Sequence, residues 1–240
     1  IFYIYNNIFN YIHIMEKVFI ICNKEIEKER YENMEEQLKE ANIETNKVEY
    51  FCKTWSNDID ENTKLNDLYF TNINNAEISL LINHIELLKK IKNNYKNGFF
   101  LILESDACVF PGMKFNSHKL KEILDISPQL ENWDIINIGS LSEDIFCEHG
   151  YPKSKPIIIG DYIFFFENRI VGIEGLIWNY NSIVKFLDLF DEYIKEREKI
   201  FYPIDVLIDN LAIEEKINIY WTNPPLLKQG SGNIWKSWLR

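Results

Sequence analysis

The chain has 240 residues, 46% of them apolar, with 37 acidic against 26 basic side chains and a net charge of -11. That length and apolar content fill one sizeable core, and the acidic balance excludes a dedicated nucleic-acid surface, which needs clustered Lys and Arg against phosphate. Cys22, Cys52, Cys108 and Cys147 are scattered with no CxxC pair, so the pattern supports neither a zinc site nor a disulfide framework and fits a reducing, cytoplasmic setting.

Ile1 to Ile14 form an apolar, aromatic stretch that is too short to span a bilayer and is interrupted by Asn residues and His13. The stretch carries no basic n-region and no small-residue cleavage site. Residues 1–14 therefore read as a leader or upstream segment, with an extra edge strand as the rival, and residues 15–240 as one domain with no membrane span.

Val18 to Cys22 is a short, almost wholly apolar run, as a strand buried on both faces requires. Lys24 to Ala41 is rich in Glu, Lys, Gln and Leu without Gly or Pro and predicts a helix. With a second strand at Lys47 to Phe51, the opening is a βαβ unit whose right-handed crossover makes the strands parallel. Thr54 to Asn75 is polar, dense in Asn and Asp, and reads as a loop-rich stretch bordering substrate. Ile78, Leu81, Ile82, Ile85, Leu88 and Ile91 then recur at helical spacing and end at Asn97-Gly98. Phe99 to Leu103 is the next buried strand, closed by a turn at Phe110-Pro111-Gly112.

Further on, a short helix is predicted near Lys119 to Leu124, a strand at Asp134 to Ile138, and a hairpin pairing Pro156–Ile159 with Tyr162–Phe166 across Gly160-Asp161. Ile183, Phe186, Leu187, Phe190 and Ile194 mark another helix. Pro203 precedes a helical stretch to about Lys216, followed by a strand at Ile217 to Trp221. No repeat or low-complexity linker divides the chain.

The strand at Phe99 to Leu103 runs straight into Glu104-Ser105-Asp106. Parallel strands deliver such residues to the carboxyl edge of the sheet, where ligands bind. Two carboxylates there suit Mg²⁺ or Mn²⁺, hard cations that bridge to diphosphate oxygens and neutralise charge on a departing nucleoside diphosphate. The competing reading is a solvated turn bearing two acids. No GxGxxG or GxxxxGK[ST] follows the first strand, so a dinucleotide or P-loop site is not encoded there.

Six blocks in order resemble glycosyltransferase family 25, the lipooligosaccharide and procollagen galactosyltransferases. Val18-Phe19-Ile20-Ile21-Cys22-Asn23 with Arg30 resembles its opening strand, turn and downstream Arg. Ala76-Glu77-Ile78-Ser79-Leu80-Leu81-Ile82-Asn83-His84 is similar to its Gly-Glu-Ile-Gly-Cys-x-x-Ser-His helix. Leu101-Ile102-Leu103-Glu104-Ser105-Asp106 resembles the strand leading to Glu-Asp-Asp. Trp133-Asp134-Ile135-Ile136, Pro203-Ile204-Asp205, and Asn223-Pro224-Pro225-Leu226 with Gln229 resemble the Trp-Asp strand, the Pro-x-Asp and the closing Pro-x-x-x-x-Gln region. The chain departs from the family at Ser105 for the middle Asp, Asn83 for Ser and Ser79 for Gly, and carries Glu174, Trp178 and Ser182-Ile183 where the family has a Tyr-rich strand and a Gly-Ala pair.

The resemblance implies a single GT-A, Rossmann-like α/β domain with a mixed, mostly parallel sheet. It also implies a UDP-sugar donor, a glycan or glycoprotein acceptor, Mn²⁺ (or Mg²⁺) on Glu104 and Asp106, and inverting transfer of a hexose. It places Asn23, Arg30, Glu77, His84, Ser105 and Gln229 around the donor. Inverting transfer needs a carboxylate free of the metal to take the acceptor proton. Asp205 is that candidate, with Asp209 four residues on along the same helical face; each can equally be a helix-start acid favoured by the dipole.

His84 lies at the border of an apolar stripe, where a neutral core histidine competes with a donor-site role. Arg30 can pair with Glu27 on its own helix instead of with a nucleotide. The run Lys228-Gln229-Gly230-Ser231-Gly232-Asn233 is either a loop closing over diphosphate or a frayed tail. Trp221, Trp235 and Trp238 offer either sugar-stacking faces or core. A catalytically silent relative that binds a sugar or a partner protein is the alternative from another class, raised by Ser105.

Overall fold

A computed structural model describes residues 15–110, 112–139, 154–167, 169–170, 172–195, 197 and 199–230. The readings at residues 1–14, Pro111, Cys147, Trp235, Trp238 and the run after Gly230 lie outside the described residues. In chain order the elements are β1 (Met15–Ile21), α1 (Lys28–Glu40), β2 (Val48–Phe51), β3 (Lys64–Leu65), β4 (Leu68–Phe70), α2 (Asn75–Asn94), β5 (Phe99–Glu104), β6 (Ala107–Val109) and α3 (Ser117–Ile126). They continue with β7 (Ile135–Asn137), β8 (Ile157–Ile159), β9 (Tyr162–Glu167), β10 (Gly175–Asn179), α4 (Tyr180–Lys195), β11 (Lys199–Ile200), α5 (Ile204–Ile213), β12 (Ile219–Asn223) and β13 (Leu227–Gln229).

Eight strands form one mixed sheet in the order β2-β1-β5-β10-β7-β12-β9-β8. The pairs β1–β2, β1–β5 and β7–β12 are parallel, and only β9 and β10 run against the common direction. The chain is therefore α/β with a mixed sheet whose strands mostly point one way, as expected. Helices cover both faces. Phe19, Phe100, Ile102, Leu176 and Trp178 turn toward the helices α2, α4 and α5, while Val18, Ile20, Leu101, Leu103 and Ile177 turn toward α1 and α3. This alternation follows from the period of two along a strand. Phe100, Trp178, Phe186 and Phe190 are essentially inaccessible, and truncating any one of them to Ala would cost about 3–5 kcal/mol.

The first strand, β12, the amphipathic α2, and the hairpin of β8 and β9 lie where the sequence places them, while β13 falls in a run read as loop or tail. Two departures have local causes. The stretch read as loop, Thr54 to Asn75, contains the β3–β4 hairpin, whose turn residues Asn66 and Asp67 have φ of 50° and 65°. An Asn-Asp pair tolerates those left-handed angles, and they match strand twist as a type I′ turn does. β10 has no separate strand signal in the sequence, because it runs into α4 without an intervening turn, yet it sits antiparallel between β5 and β7 at the centre of the sheet.

Candidate functional site at the carboxyl edge of the sheet

β1, β2 and β5 end side by side, and the residues just beyond them line a cleft together with α2. Asn23, Glu27 and Arg30 follow β1; Cys52, Trp55 and Ser56 follow β2; Glu104, Ser105 and Asp106 close β5; Ala76, Ser79 and Asn83 come from α2. Gln229 closes the rim, and the empty space is about 660 Å³ including the open mouth. This is the switch-edge position at which open α/β sheets bind ligands.

Glu104 and Asp106 both face this cleft, as the sequence predicts. Glu104 is tethered through its backbone, its N–H donating to the carbonyl of Glu174 at 3.2 Å. Burial pushes the Glu104 carboxyl well above the ordinary carboxylate range, and Asp106, Glu174 and Asp205 push it further, against the opposing charge of Arg30. Its Oε1 is buried without a hydrogen-bond partner.

Ser105, between them, lines the same cleft and is tied into a buried network. Its hydroxyl donates to Glu27 Oε1 at 2.6 Å, and Arg30 Nη1 donates to the same Glu27 oxygen at 3.1 Å and to Ser105 Oγ at 3.2 Å. Glu27 Oε2 accepts the Asn23 N–H at 2.9 Å, while Asn23 Oδ1 caps the N–H groups of Glu25 and Ile26. Arg30 therefore does form the ion pair with Glu27 that competed with nucleotide binding. It lies at the cleft floor with its guanidinium fixed by that carboxylate. Glu27 is a site residue that sequence reasoning named only as a partner of Arg30.

On α2, Asn83 works as an anchor. Its Oδ1 accepts from the N–H groups of Lys53 and Thr54, and its Nδ2 donates to the carbonyls of Thr54 and Ser79. The wall bearing Cys52 and Trp55 is thereby sewn to the helix. His84 is only 1% exposed and lies behind the cleft, with Nε2 3.7 Å from Glu104 Oε1. Burial pushes its imidazole down to about 3, so it is neutral and the contact is not an ion pair.

Glu174, which carried no role in the sequence reading, is a buried carboxyl with Oε2 unpartnered. A Cβ on Gly172 would lie 2.3 Å from that oxygen and one on Gly139 3.1 Å, so two glycines form its niche. Gly172 has φ +79°, a conformation that glycine adopts freely. Burial raises the Glu174 carboxyl to about 8, with Asp106 and Asp205 adding to the shift. Asp205 is exposed in the first turn of α5 and accepts the N–H of Val206 at 2.8 Å. Its charge reaches Glu104, Glu174 and Asp209. Asp209 instead accepts the backbone N–H of Ile170, and burial raises it to about 6. Asp209 thus holds a loop, whereas Asp205 keeps an exposed carboxylate and is not among the residues lining the cleft.

Glu77, Lys228 and Trp221 are not among the residues lining the cleft. Glu77 does not line the cleft: its carboxylate accepts the Asn74 N–H at 2.9 Å while Asn74 caps Ala76 and Glu77, a reciprocal capping box. Lys228 and Gln229 belong to β13, paired with Cys108 and Ala107 of β6, and only Gln229 reaches the cleft. The Gly230 N–H donates to the Asp106 carbonyl at 2.8 Å, so this segment packs on the acidic motif and is not a frayed tail there. Trp221 is core, its indole donating to the Arg169 carbonyl at 2.9 Å.

Among the described residues no three His, Cys, Asp or Glu side chains already converge as a metal cage. Glu104 and Asp106 nevertheless fit Mg²⁺ or Mn²⁺ by the chemistry of their donors: they are hard carboxylate oxygens lining one cleft. Such ions take their remaining ligands from water and phosphate.

No family model and no curated protein matches the sequence. Among solved structures the chain is similar to the galactosyltransferase LgtC in complex with donor and acceptor sugar analogues, at 10% identity and a TM-score of 0.39, covering 90% of this chain and 87% of that one. It is also similar to an active-site mutant of LgtC at 10% identity and a TM-score of 0.36, covering 82% of this chain and 69% of that one. Among the described residues no helix is long and apolar enough to cross a membrane.

Proposed function

We propose that the chain is a metal-dependent glycosyltransferase of the GT-A type that moves a hexose, galactose or glucose, from a UDP-sugar to a hydroxyl of a glycan or glycoprotein, with inversion. The observation that carries this reading is the joint placement of Glu104 and Asp106 on one cleft at the carboxyl edge of parallel strands. The family 25 resemblance rests on the six sequence blocks alone; Asn23, Asn83, Glu104 and Gln229, from four of them, line the cleft in which this reading places the donor.

In this reading Glu104 and Asp106 hold the divalent cation, which supplies charge neutralisation to the departing diphosphate. Trp55 and Asn23, on the walls beyond β2 and β1, receive the nucleoside end of the donor. The fixed Arg30–Glu27 pair keeps the cleft floor in one arrangement, so little reorganisation is needed when the donor binds. Asp205, exposed and outside the Glu104–Asp106 edge, takes the proton of the acceptor hydroxyl as that oxygen attacks the anomeric carbon and the bond to UDP breaks.

Titration calorimetry with UDP tests the reading. With Mn²⁺ or Mg²⁺ present the chain binds UDP, and with EDTA it does not. UDP binding of equal strength without a cation would contradict it.

A further inference from the structure

His84 and Glu104 present the two buried polar atoms whose relation is least explained by packing. His84 Nε2 and Glu104 Oε1 are both without a hydrogen-bond partner, and they face each other at 3.7 Å. A neutral imidazole carries its proton on one nitrogen and accepts at the other, so Nε2 can supply a donor to a carboxylate oxygen. The gap exceeds a hydrogen bond of about 2.7–3.2 Å by roughly half an ångström. Hydrogen bonds of a catalytic site are often long in the unliganded state and tighten on binding.

We propose that His84 is a positioning residue for the cation site, its Nε2–H donating to Glu104 Oε1 so that the other carboxylate oxygen is held toward the cleft beside Asp106. This rests on the proposed glycosyltransferase reading and gives His84 a role through Glu104 rather than contact with the donor. The helix that carries it cannot drift, because the adjacent Asn83 bonds α2 to the Lys53–Thr54 backbone. His84 is 1% exposed and lies outside the cleft lining, so a bound nucleotide sugar does not reach it. A group bonded to a liganding carboxylate restricts its rotamers, and losing such a partner weakens metal affinity by about ten- to a hundredfold.

The test is Mn²⁺ affinity in the presence of UDP, read from the electron paramagnetic resonance of free Mn²⁺, for wild type, His84→Gln and His84→Leu. Gln places an N–H near the position of Nε2; Leu fills the space without one. The expected result is a Mn²⁺ Kd raised about ten- to a hundredfold by Leu and restored to within about threefold by Gln. A second readout needs no variant: the His84 Nε2–H proton resonance moves downfield when Mg²⁺ and UDP are added. His84→Leu binding Mn²⁺ like wild type, or an unmoved resonance under saturating Mg²⁺ and UDP, overturns the positioning role and leaves the proposed function standing. Wild type that binds neither Mn²⁺ nor UDP overturns both.

Discussion

Glu104, at the end of β5, and Glu174, the residue just before the antiparallel β10, lie opposite each other, joined by the hydrogen bond from the Glu104 N–H to the Glu174 carbonyl. The pairing of Leu103 with Gly175 and of Ile102 with Leu176 carries this register onward. Both side chains therefore fall on the face covered by α2, where Phe100, Ile102, Leu176 and Trp178 are packed. Directly opposed like charges destabilise a sheet. Burial, with the nearby charges of Asp106 and Asp205, raises both carboxyls, and each side chain leaves one oxygen unpartnered.

That arrangement gives stability a specific pH dependence without metal. Glu174 holds its proton up to about 8 in the folded chain against an ordinary value of 4.5. Between those values the unfolded chain binds fewer protons than the folded one, so unfolding free energy falls as pH rises. His84, lowered to about 3 from 6.5, acts in the opposite sense and costs stability as pH falls through that lower window. Melting in EDTA between pH 5 and 8 should show a decline that Glu174→Gln reduces, by an amount on the order of a few kcal/mol at most. The decline should persist in part, because Glu104 and Asp209 are raised as well. Identical slopes for wild type and Glu174→Gln would show that Glu174 stays ionised.

Asp106→Asn should remove the cation-dependent part of UDP stabilisation while leaving the unliganded melting temperature within a few degrees. Ligand binding raises stability by mass action, so loss of the shift reads as loss of the site. A full shift in the variant would place the cation elsewhere.

Asp205 and Asp209 separate by their surroundings. Asp205→Asn should leave UDP affinity unchanged and lower transfer by roughly a hundredfold or more, the scale of general-base catalysis. Asp209→Asn should instead weaken the anchor to the Ile170 N–H and show mainly as lowered stability. If Asp205→Asn loses UDP and metal affinity together, Asp205 is a ligand and another group is the base.

Asn83→Ala should destabilise the chain by about 2 kcal/mol, because it strands backbone groups of Lys53 and Thr54 that Asn83 now satisfies. Hydrogen exchange at Lys53 and Thr54 should rise ahead of exchange in β1. Unchanged protection there would mean that the wall is held by other contacts.

How much of this was legible in the sequence depends on the range of the determining contacts. The apolar run ending at Glu104 and the helical stripe of α2 are local patterns, and they predicted the strand, the helix and the cleft-facing acids. The capping box was legible too, in Asn74 followed three residues later by Glu77, but the family resemblance drew Glu77 toward the donor. Glu27 and Glu174 were harder. Glu27 meets Ser105 across 78 positions, and Glu174 is buried only because β10 inserts between β5 and β7. Gly172, two residues before Glu174, was the available local signal, since glycine is favoured where backbone approaches a side chain closely. Asp205 and Asp209 looked alike on a helical face, and their difference comes from tertiary surroundings: Asp209 is more buried and held by the Ile170 backbone, while Asp205 is exposed.

The most direct test of the central claim is a donor screen with Mn²⁺, following release of UDP from UDP-galactose, UDP-glucose and other nucleotide sugars. The account predicts slow hydrolysis of one UDP-hexose, abolished by EDTA and by Asp106→Asn and accelerated by a sugar acceptor. Release of no nucleotide diphosphate from any donor, by a folded chain that still binds UDP and Mn²⁺, would contradict catalysis and leave a sugar- or partner-binding protein in its place.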